Sequence, residues 1–250
     1  IFQKLEIRYY MNNNYSVTLE NCSFSYKTRP KFSLKRSTVA NQLENNLVLK
    51  NIDLKFETNK IYGVIGKNGS GKSTMLRLIF DYYQPSSGKI SRNFSHGKLL
   101  DVPNTYQDDL NAIDNLHALQ ILENDRDDSN KLERVKEISN LASVDLEVPI
   151  SHLSKGTQSK VRFGLTMAFI ENIDFLGLDE FFNFGDLEFQ ENAIKFLKDE
   201  IDSLGSAIIT SHSTSLIERL CDTVVLIHHG EIIEVDESSK VLSKYKKLIL

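Results

Sequence analysis

The densest chemistry in the chain lies in nine consecutive residues: Gly66, Lys67, Asn68, Gly69, Ser70, Gly71, Lys72, Ser73 and Thr74. Gly66, Gly71, Lys72 and Ser73 fall at the spacing of a phosphate-cradling loop. The glycines let successive backbone N–H groups turn inward around phosphate oxygens, and a helix starting there adds the positive end of its dipole. In such a loop Lys72 reaches the β- and γ-phosphates, and the Ser73 hydroxyl takes a place on Mg²⁺. The chemistry requires a strand before the loop and a helix after it. The apolar run Ile61–Ile65 predicts the strand, and Met75, Leu76, Leu78 and Ile79 predict the helix.

About a hundred residues later the apolar run Ile173–Leu178 ends in Asp179-Glu180. Two adjacent carboxylates at a strand end repel each other, and a cation between them and bound phosphates offsets that repulsion. This assigns Asp179 to the Mg²⁺ shell and Glu180 to the water that attacks the γ-phosphate. The next short apolar strand, Ala207–Thr210, ends at Ser211-His212. A histidine at the carboxyl end of a strand in an α/β sheet lies where ligands bind, so His212 is a candidate γ-phosphate sensor.

The elements that must hold these groups follow from periodicity. Residues 1–14 read as a lead-in. Val17 and Leu19, then Cys22, Phe24 and Tyr26, read as two strand pieces whose register changes at a turn near Glu20-Asn21. Residues 27–46 are polar and rich in Lys and Arg and read by default as a solvated loop, with contact to lipid headgroups or a partner as the sharper alternative. Ile52, Leu54 and Phe56 alternate as a strand, and short strands are predicted near Lys89–Ile90 and Lys98–Val102. Residues 111–146 change to helical spacing without any strand signal. A long helix over Leu187–Leu204 with Asp186 as its N-cap, a hairpin about His229-Gly230 and a final helix over Ser239–Leu250 complete the chain.

The 250 residues, 40% of them hydrophobic, suit one domain with an insertion. A net charge of −4 offers no electrostatic case for nucleic acid. No apolar run approaches the roughly 18–20 residues needed to cross a bilayer, so a membrane role must come through a partner. Cys22 and Cys221 stand in no metal spacing and read as buried small hydrophobes in a reducing cytoplasm. Lys4, Glu6 and Arg8 interrupt any signal-peptide core.

Leu153-Ser154-Lys155-Gly156-Thr157, at the start of a predicted helix, resembles the signature sequence of ATP-binding-cassette (ABC) ATPases. With the phosphate loop, Asp179-Glu180 and Ser211-His212, the resemblance covers about residues 16–237. It implies an α/β fold: a P-loop NTPase (RecA-like) core with an N-terminal antiparallel β subdomain and an α-helical subdomain inserted at about 105–165, all within residues 15–250. It also implies ATP hydrolysis by a head-to-tail homodimer that holds two ATP molecules. Tyr26 matches the aromatic that stacks on adenine. Ser154 and Gly156 match positions that touch the γ-phosphate of ATP held by the other subunit, and Asp186 matches the aspartate that signals across the dimer.

Asn183-Phe184-Gly185-Asp186 is similar to the form found in exporters of capsule polysaccharide, O-antigen and teichoic acid. The resemblance therefore implies a peripheral ATPase subunit on the cytoplasmic face of the cell membrane, working through a separate integral membrane permease. The chain departs from the family pattern at Lys155 and Thr157, which replace glycine and glutamine of the signature, and at Phe181. The glutamine-loop position is open between Asn104 and Gln107. A soluble cassette ATPase without a transport role and a subunit that binds ATP without hydrolysing it are the alternative readings.

Overall fold

A computed structural model describes residues 15–26, 47–101, 106–122, 130–139, 145–170, 173–180 and 187–249. The N-terminal β unit is built on β1 (Tyr15–Ser25), flanked by β2 (Leu47–Glu57) and β4 (Ser87–Arg92), both antiparallel to it. Val17, Leu19, Cys22 and Phe24 are all buried, although the spacing between Leu19 and Cys22 breaks a strict alternation. The break is a bulge inside one continuous strand rather than the predicted turn. Asn21 takes a left-handed φ of 51° and its N–H donates to Asp53 Oδ1 at 2.7 Å, while pairing resumes at Cys22. Asparagine tolerates that conformation better than most residues, and pairing on both sides holds the chain extended through it.

The central sheet runs in the order β5 (Gly97–Asp101), β6 (Phe175–Asp179), β7 (Ser206–Thr210), β3 (Ile61–Ile65), β8 (Thr223–His228) and β9 (Glu231–Glu237). All neighbours are parallel except β8 and β9. Every residue of β3, β6 and β7 is buried. Burial on both faces explains why these strands read as unbroken apolar runs instead of alternating ones. One face packs on α1 (Lys72–Ile79) and the β unit through Met75, Leu76, Leu78, Phe56 and Leu54. The other carries α4 (Lys155–Met167), α5 (Leu187–Leu204), α6 (Thr214–Leu220) and α7 (Ser238–Ile249), whose Phe163, Leu197, Ile217 and Val241 enter the core.

A second core lies among α2 (Ala112–Leu122), α3 (Asn130–Ser139), a 3₁₀ turn (Ile150–His152) and α4. It contains Leu116, Leu119, Val135, Ile150, Val161 and Leu165. Helix α4 belongs to both cores: Phe163 and Met167 face the sheet cluster, Val161 and Leu165 the helical one. Its N-terminus is thereby tied to the body that holds the phosphate loop. The α3–α4 contact passes over Gly164, where an added Cβ would lie 1.9 Å from Ser139 Oγ and 2.8 Å from the Val135 carbonyl oxygen. A hydroxyl can rotate away, but a helix carbonyl cannot. Gly164→Ala is expected to cost about 1–3 kcal/mol, seen as a melting point lowered by roughly 3–10 °C. An unchanged melting point would mean that α3 does not pack there.

Candidate functional site

The phosphate loop starts where β3 ends at Ile65 and closes where α1 begins at Lys72. Gly71 is the N-cap of α1 with φ 109°, and an added Cβ there would sit 2.7 Å from Leu49 Cδ2. Lys67, Asn68 and Gly69 are exposed along the rim, whereas Ser70 is buried. Helix α1 has no side-chain cap and no acid in its first turn. Its leading N–H groups and dipole are thus left for an anion. At the other end Arg92 donates to the carbonyls of Leu78 (2.6 Å) and Ile79 (2.7 Å), a cation on the negative pole of the same helix.

Lys72 is only 5% exposed. Its Nζ donates to the carbonyls of Gly66 (3.0 Å) and Lys67 (3.3 Å). Burial holds its pKa below the usual lysine range, and the nearby carboxylates of Glu180 and Asp179 oppose that shift. A cation short of solvent and close to two acids is a receptor for phosphate oxygens.

Asp179 and Glu180 lie at the end of β6, two strands from the phosphate loop with β7 between. Asp179 is buried, and its Oδ1 accepts from Thr210 Oγ1 at 2.6 Å. Glu180 has φ 49°, and its Oε1 meets His212 Nε2 at 2.8 Å. An ionised carboxylate only accepts, so Nε2 carries the proton in that pair. Tyr26 follows β1 and is 44% exposed. Its ring meets Phe24 and Tyr83 edge-on, at 5.1 and 5.8 Å between centroids, and its hydroxyl bonds Thr74 Oγ1 at 3.0 Å.

One cleft of ≈ 540 Å³ is lined by Tyr26, Val48, Asn68, Gly69, Gly71, Lys72, Ser73, Thr74, Glu180 and His212; the buried Asp179 is not among its lining residues. An aromatic ring, an uncapped helix start, a buried ammonium and two carboxylate residues beside it suit a nucleoside triphosphate. The same donor set fits Mg²⁺, through the Ser73 hydroxyl and the Asp179 carboxylate, both hard oxygen ligands. Ser154 and Gly156 stand elsewhere, at the start of α4. Ser154 caps that helix, its Oγ accepting from Thr157 N at 3.2 Å. Asp186 and Asn104 lie outside the described residues. Gln107 is exposed, is not among the cleft-lining residues, and has its backbone held on both sides by the buried Asn115 side chain.

Sequence reasoning missed Val48, Arg92, Tyr83 and Thr210. Thr210 alone left a signal, as the polar end of an apolar strand.

The sequence matches the profile of the ABC transporter family over residues 49–183. It is similar to the O-antigen export system ATP-binding protein RfbE of Yersinia enterocolitica, at 29% identity over 97% of this chain and 98% of that one. The capsule polysaccharide export ATP-binding protein CtrD of Neisseria meningitidis is 30% identical over 80% of this chain and 91% of its own. Among solved structures, a dimeric ATP-binding cassette in a post-hydrolysis state with ADP and Pi superposes with a TM-score of 0.68. That match covers 89% of this chain and 98% of the other at 17% identity, a likeness of fold. The two-sheet architecture and the cleft of the phosphate loop thus go with a matched family profile, and the chain belongs to the ABC transporter family.

Proposed function

We propose that this chain is the ATP-hydrolysing subunit of an exporter for a polysaccharide or lipid-linked glycopolymer, working as a homodimer with ATP between its two copies. The observation that carries the reading is the convergence of Tyr26, Lys72, Glu180 and His212 on one cleft. Tyr26 offers its ring to adenine, and Gly66 to Thr74 wrap the phosphates. Ser73 and Asp179 hold Mg²⁺, which when bound neutralises charge on the phosphate oxygens. Glu180 polarises the attacking water, and His212, already paired with Glu180, is assigned to sensing the γ-phosphate.

Gly156 supports the dimer. An added Cβ would meet none of the described residues within 4 Å, so packing among them makes no demand for glycine there. The open space leaves room for a partner group, and in the proposed dimer the start of α4 with Ser154 and Gly156 is a donor set for a phosphate held by the second copy. Asp186 is assigned to communication across that dimer.

The cargo class rests on similarity to O-antigen and capsule polysaccharide export proteins. No helix among the described residues is long and apolar enough to cross a membrane. A separate integral membrane subunit supplies the path, and this chain works on the cytoplasmic face of the membrane; nucleic acid is not a partner.

Two measurements test the reading. Purified protein is expected to release phosphate from ATP only when Mg²⁺ is present. Affinity capture from native membranes is expected to recover an integral membrane protein in stoichiometric amount. Magnesium-independent or absent phosphate release would overturn the enzyme assignment, and recovery of the chain without any membrane protein would overturn the exporter assignment.

A further inference from the structure

One hydroxyl sits between the two acids of the site. Thr210 ends β7, the strand between β6 and β3, and is 0% exposed. In the parallel register Leu178 of β6 faces Ile209, which brings Thr210 beside Asp179 and Glu180. On its other side Thr210 pairs with Val64, two residues before Gly66. Its Oγ1 donates to Asp179 Oδ1 at 2.6 Å and accepts from the Glu180 backbone N–H at 2.9 Å. The single proton of the hydroxyl is therefore committed to Asp179 and one of its lone pairs to Glu180. Glu180 needs such a hold. Its φ of 49° is a left-handed conformation that a long side chain rarely adopts. That conformation accompanies the 2.8 Å contact between Glu180 Oε1 and His212 Nε2.

We infer that Thr210 is a positioning residue for both carboxylates: its hydroxyl orients the Asp179 carboxylate and holds the backbone turn that aims Glu180 into the cleft. The inference rests on the reading that Asp179 and Glu180 serve Mg²⁺ and the attacking water. Asp179 is the residue that would hold Mg²⁺, and the Thr210 bond to Oδ1 sets the orientation of its carboxylate. A β-branched threonine suits the task, because its stiff χ1 holds the hydroxyl in one place. Valine has the same shape and loses both bonds; serine keeps the hydroxyl and loses the methyl.

The test uses the full chain and compares Thr210→Val, Thr210→Ser and Glu180→Gln. Thr210→Val is expected to lower kcat about 10- to 100-fold with little change in KM for ATP, the scale of a small misplacement of reacting groups. The Mg²⁺ concentration for half-maximal binding of a fluorescent ATP analogue should rise about threefold or more, while affinity for that analogue in EDTA stays unchanged. Thr210→Ser is expected to restore kcat to within about threefold of wild type, since the hydroxyl carries most of the effect and the lost methyl only loosens χ1. Wild-type kcat and Mg²⁺ dependence in Thr210→Val would overturn the positioning role. An equal loss of affinity with and without Mg²⁺ would also overturn it, because that marks general damage to the cleft. Where valine does not give folded protein, Thr210→Ala is read in the same way. Inactive Glu180→Gln beside an active Thr210→Val faults Thr210 alone, whereas full turnover in Glu180→Gln faults the assignment of the site.

Discussion

Glu180→Gln is expected to bind ATP with nearly native affinity and to release phosphate about 10²- to 10⁴-fold more slowly, the range for loss of a positioned general base. The substitution keeps the size of the side chain and its ability to accept a hydrogen bond from His212, which now stands at 2.8 Å. What it removes is the negative charge that draws a proton from water. Because the backbone N–H of Glu180 still reaches Thr210, the left-handed turn persists and the rest of the cleft is undisturbed. A nucleotide titration beside a phosphate-release assay separates the two effects. Wild-type turnover in the variant would remove Glu180 from the base role.

Lys72→Ala has the second large effect, on binding rather than chemistry. The ammonium is buried, and burial has already lowered its pKa, so much of the cost of desolvating it is met in the folded chain. Phosphate oxygens reaching it exchange neutral carbonyl partners, Gly66 and Lys67, for charged ones. Truncating one member of a buried charge pair typically costs about 2–5 kcal/mol, so ATP affinity should fall by roughly 30-fold to several thousand-fold. The two loop carbonyls also lose their donor, and the loop should become easier to open. Isothermal titration with a nonhydrolysed ATP analogue reads the affinity directly; retention within a factor of three would contradict this role for Lys72.

The phosphate loop was legible because its demands are local. Positive φ at Gly69 and Gly71, a helix start and an ammonium follow from residues in immediate succession. The central strands were legible because burial on both faces leaves an unbroken apolar run. Thr210 shows the limit. In the sequence it is the end of a short strand, and its two bonds exist only because β6 and β7 lie side by side in one register. Arg92 is another case, a strand residue that caps a helix thirteen residues earlier only after β4 has paired with β1. The bulge at Asn21 looked like a turn, since the pattern shows a lost register and not the two partner strands that keep the chain extended. Tyr26 had no local signature at all: an aromatic after a strand is ordinary, and its place in the cleft came from the resemblance to ABC ATPases.

The same distinction separates Ser154 and Gly156 from the other site residues. They stand at a helix start where a Cβ added to the glycine would meet none of the described residues within 4 Å. In the proposed dimer, the start of α4 of one copy meets the phosphate-loop cleft of the other. The decisive measurement is the molecular mass of Glu180→Gln in solution with Mg²⁺ and ATP, by sedimentation or light scattering, with bound nucleotide counted. A dimer carrying two ATP molecules, returning to monomer when Gly156→Asp is added, is the predicted result. A monomer that holds ATP at full occupancy would contradict the account.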